Sequence, residues 1–267
     1  MKYLYETHMH TCQGSACGGS TGAEQARFYK ALGYQGIIVT DHFFGGNTRV
    51  DRSLPWETWV DEYCKGYEDA LEEGKRIGLD VFFGLEQNFR GDEYLVYGID
   101  KAWLKAHPGI VRWSRRELFE HIDAAGGCVV QAHPFRDRMY ISKVLLGRQF
   151  CHAAEVANSG NDALNDAQAY AYAREFDLPM TAGTDHHVAG DVELLRPRMF
   201  GVTFDQPLRS IHDYVSAIRN HAPMGIFTGA YADRFAIKEE YVPCTTYWMD
   251  ENEQPVPTNR HWLHPVK

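Results

Sequence analysis

Tyr3-Leu4-Tyr5-Glu6-Thr7-His8-Met9-His10 is the stretch on which the fold turns. It reads as an opening strand that ends in two histidines. Successive strand side chains point to opposite faces, so His8 and His10 share one face. That spacing suits two ligands of one cation, with imidazole nitrogens about 2.0–2.1 Å from a zinc ion. Alone the pair is a weak signal, because a surface strand produces it by chance. Recurrence gives it weight. Residues 36–40 read as a strand ending in Asp41-His42, and residues 80–85 as one delivering Glu86. Residues 128–132 lead into His133-Pro134, and residues 179–182 into Gly183-Thr184-Asp185-His186-His187, where Asp185 and His187 share a face. In α/β proteins with parallel strands the carboxyl ends form the active-site rim. Packing alone does not put ligand-type side chains at so many rim positions.

Between these strands lie helical stretches at 22–32, 56–77, 114–125, 163–176 and 210–220. Ser114 is placed to cap the third and Gly126-Gly127 to stop it. In the second, Trp56 with Trp59 and Tyr63 with Tyr67 form the buried stripe. Further strands are expected at 94–97, at 153–157 ending before Asn158, and at 224–227. The alternation is that of β-α units around a parallel sheet. The 267 residues suit one barrel, expected over 1–228. Past Gly229 the pattern dissolves, and 229–267 is read as an extension packed on the barrel without chemistry of its own.

Composition excludes some functions. The net charge of −9 argues against binding duplex nucleic acid or an anionic membrane, which need clustered Lys and Arg. It leaves room for a small anionic substrate, since bound cations invert the local potential. No apolar run approaches the ~20 residues of a membrane span. The first residues lack the apolar core of a signal peptide, so a cytoplasmic location is expected. The six cysteines (12, 17, 64, 128, 151 and 244) contain no CxxC pair and read as reduced thiols. The 13 histidines are the unusual count. Of these, His107, His121, His152, His212 and His221 lie away from strand ends. His186 points opposite to its neighbours, and His261 and His264 sit in the tail as solvated groups.

His8-x-His10, Thr40-Asp41-His42, Glu86, Ala132-His133-Pro134 and Gly183-Thr184-Asp185-x-His187 resemble, in order, the motifs of the PHP (polymerase and histidinol phosphatase) family. The resemblance covers residues 8 to 187. It implies a distorted (β/α)7 TIM-like barrel holding two or three divalent ions, Zn, Mn or Fe. It also implies a ligand division: one ion on His8, His10, Glu86 and Asp185, a second on Glu86 and His133, a third on His42 and His187. The chain departs from the pattern twice. Where the family has an Asp or His after the first motif, this loop offers Ser15, Ala16 and Cys17, and only Cys17, as a thiolate, is a zinc ligand. Where the family often has a further His, this chain has Asp92-Glu93-Tyr94, and Glu93 as an oxygen ligand would favour Mn or Fe.

The chemistry so implied is hydrolysis of a small soluble phosphate mono- or diester by a metal-activated water held at Glu86 and Asp185. Arg136, three residues past His133, is the expected bidentate phosphate contact, ahead of Arg138, Arg196 and Arg198. Asp41, Glu155 and Asn158 are candidates to orient ligands from behind. Two other readings are open: an amidohydrolase-type metal hydrolase, which also opens with HxH, and a non-catalytic, metal-stabilised PHP module that docks a partner. The oligomeric state is not legible.

Overall fold

The computed structural model describes residues 2–138, 141, 143–231, 233–236, 245–258 and 260. Cys244, His261 and His264 lie outside the described residues. The strands are β1 (Tyr3–Met9), β2 (Gly36–Val39), β3 (Asp80–Asn88), β4 (Glu93–Tyr97), β5 (Cys128–Ala132), β6 (Val144–Leu146), β7 (Ala153–Asn158), β8 (Met180–Gly183), β9 (Gly201–Phe204), β10 (Gly225–Phe227), β11 (Thr246–Met249) and β12 (Pro255–Pro257). One sheet runs β10-β9-β1-β2-β3-β4-β5-β7-β8. It curls until its end meets β1 again. There Met9 forms a parallel bridge with His186. The Asp185 N–H donates to the His8 carbonyl at 2.7 Å and the His10 N–H to the His186 carbonyl at 2.9 Å. The ring β1-β2-β3-β4-β5-β7-β8 is therefore a distorted TIM-like barrel, as the sequence led us to expect. The distortion sits on β1: its first residues, Tyr3 to Tyr5, pair with antiparallel β9, whereas its last pair with the chain that leaves β8.

The sheet is not wholly parallel. β4 runs antiparallel to both β3 and β5. Only residues 89–92 join β3 to β4, too few for the crossover a parallel neighbour requires. The Phe89 N–H closes that hairpin on the Asp92 carbonyl at 2.9 Å.

Helices α1 (Gly22–Leu32), α2 (Trp56–Tyr63), α3 (Lys65–Ile77), α4 (Lys101–Ala106), α5 (Arg115–Ala124), α6 (Ala163–Glu175), α7 (Val192–Leu195) and α8 (Ile211–Arg219) complete the fold. Ser114 caps α5 in a capping box with Glu117, and Thr21 does the same for α1 with Glu24. The single helix expected over 56–77 is two helices, broken at Cys64 (φ −75°, ψ −7°). The bend lets α3 approach α1 backbone to backbone: a methyl group on Gly22 would lie 2.0 Å from the Gly66 carbonyl oxygen. No helix among the described residues is long and apolar enough to cross a membrane.

The tail also departs from expectation. β11 pairs in parallel with β6, and β12 folds back on β11, giving a three-stranded sheet. Pro255 and Pro257 disguised β12 as loop, yet proline is tolerated on an edge strand. Trp248 of β11 packs edge-on against Phe176 at 5.3 Å.

The stripe on α2 anchors the larger part of the core. Trp59 is fully buried and stacks on Tyr63 at 5.0 Å and on Trp56 at 5.5 Å, with Phe43 edge-on at 5.2 Å. Replacing Trp59 with Ala removes those contacts and leaves a cavity, at an expected cost of about 3–5 kcal/mol. Urea unfolding followed by far-UV circular dichroism measures this; a loss below about 1 kcal/mol would show the stripe to be dispensable.

Candidate metal centre

Each chemical side chain is carried to the rim by the pairing of the strand beneath it. β1 brings His8 and His10, both fully buried. β2 and β3 extend their pairing past the formal strand end: His42 bridges Glu86, the Glu86 N–H donates to the Asp41 carbonyl at 3.0 Å, and the Phe43 N–H to the Glu86 carbonyl at 2.8 Å. β5 ends in His133 and β8 in Asp185, both in the left-handed backbone region (φ 27° and 55°). For a non-glycine residue that conformation costs about 1–2 kcal/mol. At both positions it turns the side chain inward at the moment the strand stops.

Glu86 stands in the middle. Its Oε1 lies 3.2 Å from His8 Nε2 and 3.3 Å from His133 Nε2, while its Oε2 lies 2.7 Å from His42 Nδ1 and 3.5 Å from His10 Nε2. Asp185 Oδ1 is 2.9 Å from His10 Nε2 and 3.5 Å from His8 Nε2. Glu93 Oε2 is 3.5 Å from His133 Nε2 and its Oε1 3.9 Å from His42 Nδ1. Among the described residues, four overlapping groups, each with ligand atoms within 4.8 Å of one another, result: His8-His10-Asp185, His8-Glu86-His133, His10-His42-His187 and His42-Glu86-Glu93.

Those atoms approach without hydrogen bonding well. His8 Nε2, His42 Nδ1 and Glu86 Oε2 are buried and have no hydrogen-bond partner. The large majority of buried side-chain polar atoms in folded proteins have a partner, and here three that lack one face each other in a single cluster. Lone pairs that converge on common points, two per carboxylate oxygen, fit divalent cations better than any network of protons. The opposite ring nitrogens are fixed from behind. His8 Nδ1 meets Glu155 Oε1 at 3.0 Å. His10 Nδ1 meets Ser15 Oγ at 3.1 Å, and that hydroxyl donates to Asp41 Oδ1 at 2.7 Å, so it can only accept from the imidazole. His187 Nδ1 meets the Asp185 carbonyl at 2.7 Å. In each case Nδ1 carries a proton toward that partner, so Nε2 is the nitrogen that faces the cluster and would ligate once deprotonated.

Glu155 also accepts from the His133 N–H (3.0 Å) and from Asn158 Nδ2 (3.0 Å), so one buried carboxylate sets two of the candidate ligands. Asp41 acts at one remove, through Ser15 and Thr11, and its carboxylate orients His10, not the adjacent His42. Gly183 is obligatory here: a Cβ would fall 2.5 Å from the His8 Cβ and 2.9 Å from Glu155 Oε1. Ser15 and Glu6, which accepts the His8 and Thr184 N–H groups, carried no sequence signal.

Cys17 is exposed at the edge of the cluster. Partial burial raises its thiol, but hydrogen bonds with His187 and His42 outweigh this and bring it down to about 6. It thus lies beside the His10-His42-His187 group without joining the four close groups. His186 faces away and stacks on Phe28 at 5.3 Å. Arg136, expected as a free fork for phosphate, is largely engaged. It donates to Asp185 Oδ2 at 2.6 Å, to Asn161 Oδ1 at 2.8 Å and to Asn158 Oδ1 at 2.9 Å. It holds Asp185 Oδ2 so that Oδ1 faces the histidines. Arg138 bonds the Gly160 carbonyl, and Arg196 the Leu32 carbonyl, away from the cluster.

Comparison with known proteins comes to the same architecture. A two-domain protein from Bacteroides vulgatus, described as containing a predicted PHP-like metal-dependent phosphoesterase, superposes with a TM-score of 0.65 at 13% identity, covering 86% of this chain and 65% of that one. The chain has a PHP-like fold. An amidohydrolase from Chromobacterium violaceum with bound sulfate and no metal matches this PHP-like barrel with a TM-score of 0.51 at 17% identity, over 86% of this chain and 99% of that one. In sequence, an error-prone DNA polymerase from Pseudomonas fluorescens is 28% identical over 213 residues, 78% of this chain but only 18% of the polymerase. No family model matches the sequence.

The electrostatics of the candidate centre give two predictions. Burial opposes charge on His8 and His42, but Glu155 and Glu86 beside His8, and Glu86 beside His42, outweigh it and hold both imidazoliums well above their ordinary range. His10, buried and repelled by His42, falls to about 3. Burial likewise opposes charge on Glu86 and Asp185. Attraction to His42 and His8 for the first, and to Arg136 for the second, overrides it and keeps both ionised. A cation must therefore displace protons from His8 and His42, and its apparent affinity should rise with pH. Calorimetric titration with a divalent metal in buffers of different ionisation heat should register proton release; none would contradict the assignment. Arg136→Lys, which loses the planar fork on Asp185, should weaken metal binding by about 10- to 100-fold, read by competition with a chromophoric chelator.

Proposed function

We propose that this chain is a metal-dependent phosphoesterase that hydrolyses a small soluble phosphate mono- or diester. The observation that carries the reading is the set of buried, unpartnered atoms of His8, His42 and Glu86, gathered with His10, His133, Asp185 and His187 into one cluster whose outer members His42, Asp185 and His187 line an open cavity of about 670 Å³. His8, His10 and Asp185 would hold one cation, with Glu86 shared between it and a second at His133, and His42 with His187 a third. Glu93 would complete the second and Cys17 the third. Bound Zn, Mn or Fe ions would supply hydroxide from water near neutral pH and draw charge from the phosphate oxygens.

The residues of the chain do the rest. Glu86, ionised between four imidazoles, keeps the ligand atoms in register. Asp185, pinned through its other oxygen by Arg136, presents a single oxygen to His10. Arg136 keeps one N–H on each terminal nitrogen beyond its three bonds and can offer these to a phosphate oxygen. No serine or threonine nucleophile is required.

A second reading, an amidohydrolase, is favoured by the Chromobacterium neighbour alone. Hydrolysis of p-nitrophenyl phosphate and of its bis-ester separates the two. Activity should vanish on chelation, return with Mn or Zn, and be abolished in a folded His10→Ala variant. Turnover of N-acyl amino acids with neither phosphate ester cleaved would transfer the assignment to the amidohydrolase class.

A further inference from the structure

The cavity above the metal centre has two arginines on its wall, Arg136 and Arg90. The first is tied to Asp185, Asn158 and Asn161. The second is different. Arg90 sits at the tip of the β3–β4 hairpin, exposed, and among the described residues its guanidinium makes no hydrogen bond or ion pair. An arginine free on the wall of a cavity that also holds Glu93, Asp185 and two imidazoles has an obvious use for an incoming anion. We infer that Arg90 is a specificity residue that receives the non-reacting anionic oxygens of the substrate; this rests on the phosphoesterase reading.

The hairpin is built to hold Arg90 in one place. Its backbone is left-handed (φ 63°), and Asn88 Oδ1 accepts its N–H at 2.7 Å. The same Asn88 donates through Nδ2 to Glu93 Oε1 at 2.8 Å, linking the turn to a candidate ligand. Gly45 lies close beneath, where a Cβ would come within 2.9 Å of the Asn88 carbonyl oxygen. From outside, Arg115 of α5 clamps the turn. It donates to the Asp92 carboxylate and to the Phe89 carbonyl (3.1 Å), and its guanidinium lies 4.8 Å from the centre of the Phe89 ring. Glu253, between β11 and β12, accepts from the Arg115 side chain at 3.2 Å and from the Arg116 N–H at 2.9 Å. The tail sheet therefore braces the hairpin that carries Arg90. A planar guanidinium on a fixed turn suits the paired oxygens of a phosphate.

The test compares Arg90→Met and Arg90→Lys with the unaltered protein, all loaded with the same metal. A charge-assisted hydrogen bond lost to the substrate should raise KM for p-nitrophenyl phosphate about 10- to 100-fold in Arg90→Met, with kcat within about 3-fold. Arg90→Lys should recover part of the loss, and metal content should be unchanged in both. The inhibition constant of inorganic phosphate should move with KM. An unaltered KM, or a KM change accompanied by loss of metal, overturns the inference. If the unaltered protein cleaves no phosphate ester, the phosphoesterase reading fails on its own. Calorimetric binding of inorganic phosphate then decides about Arg90: weaker binding in Arg90→Met supports an anion contact, and equal binding refutes it.

Discussion

A fully buried carboxylate with four imidazoles around it is the constraint that organises this protein. Glu86 Oε1 contacts His133 but Oε2 has no hydrogen-bond partner among the described residues, and burying the group as an isolated charge would cost many kcal/mol. The arrangement becomes reasonable once each oxygen is shared between cations. The surrounding features then follow as means of aiming. Glu155 and Ser15 assign the tautomers of His8 and His10. Arg136 turns Asp185 so that one oxygen faces inward. The left-handed turns at His133 and Asp185 accept local strain to end each strand with an inward ligand.

The donors are not uniform across the cluster. The interior, around His8 and His133, is imidazole and carboxylate, and the solvent edge beside His187 adds a thiol. Sulfur is the softest donor in the set, and the carboxylate oxygens, that of Glu93 among them, are the hardest. The two positions at which the chain departs from the motif pattern, Cys17 and Glu93, both line the open cavity.

Much of this was legible because strand ends advertise themselves. An apolar run followed at once by His, Asp or Glu needs only alternation to place two side chains on one face, and His8, His10, Glu86, His133 and Asp185 do converge. What was hidden has physical reasons. β4 has the composition of any buried strand, and its reversal follows only from the shortness of the 89–92 link. The break at Cys64 serves the close approach of Gly22 and Gly66, two positions far apart in the chain. Ser15, Glu155 and Arg115 act through partners distant in sequence, so no local pattern marks them. Arg136 lies against Asp185, but residue type could not show that Asp185, Asn158 and Asn161 would occupy most of its donors.

The divided pairing of β1 carries a last consequence. Its first half is stitched to β9, and its second half meets the chain leaving β8 through a single bridge and two hydrogen bonds that flank His8, His10 and Asp185. The seam of the barrel and the mouth of the ion cluster are thus the same stretch of backbone. A cation spanning His10 and Asp185 would act as a rivet across that seam and couple ion occupancy to barrel closure. Amides at His10 and Asp185 should accordingly be the part of the sheet whose breathing answers most directly to the supply of metal.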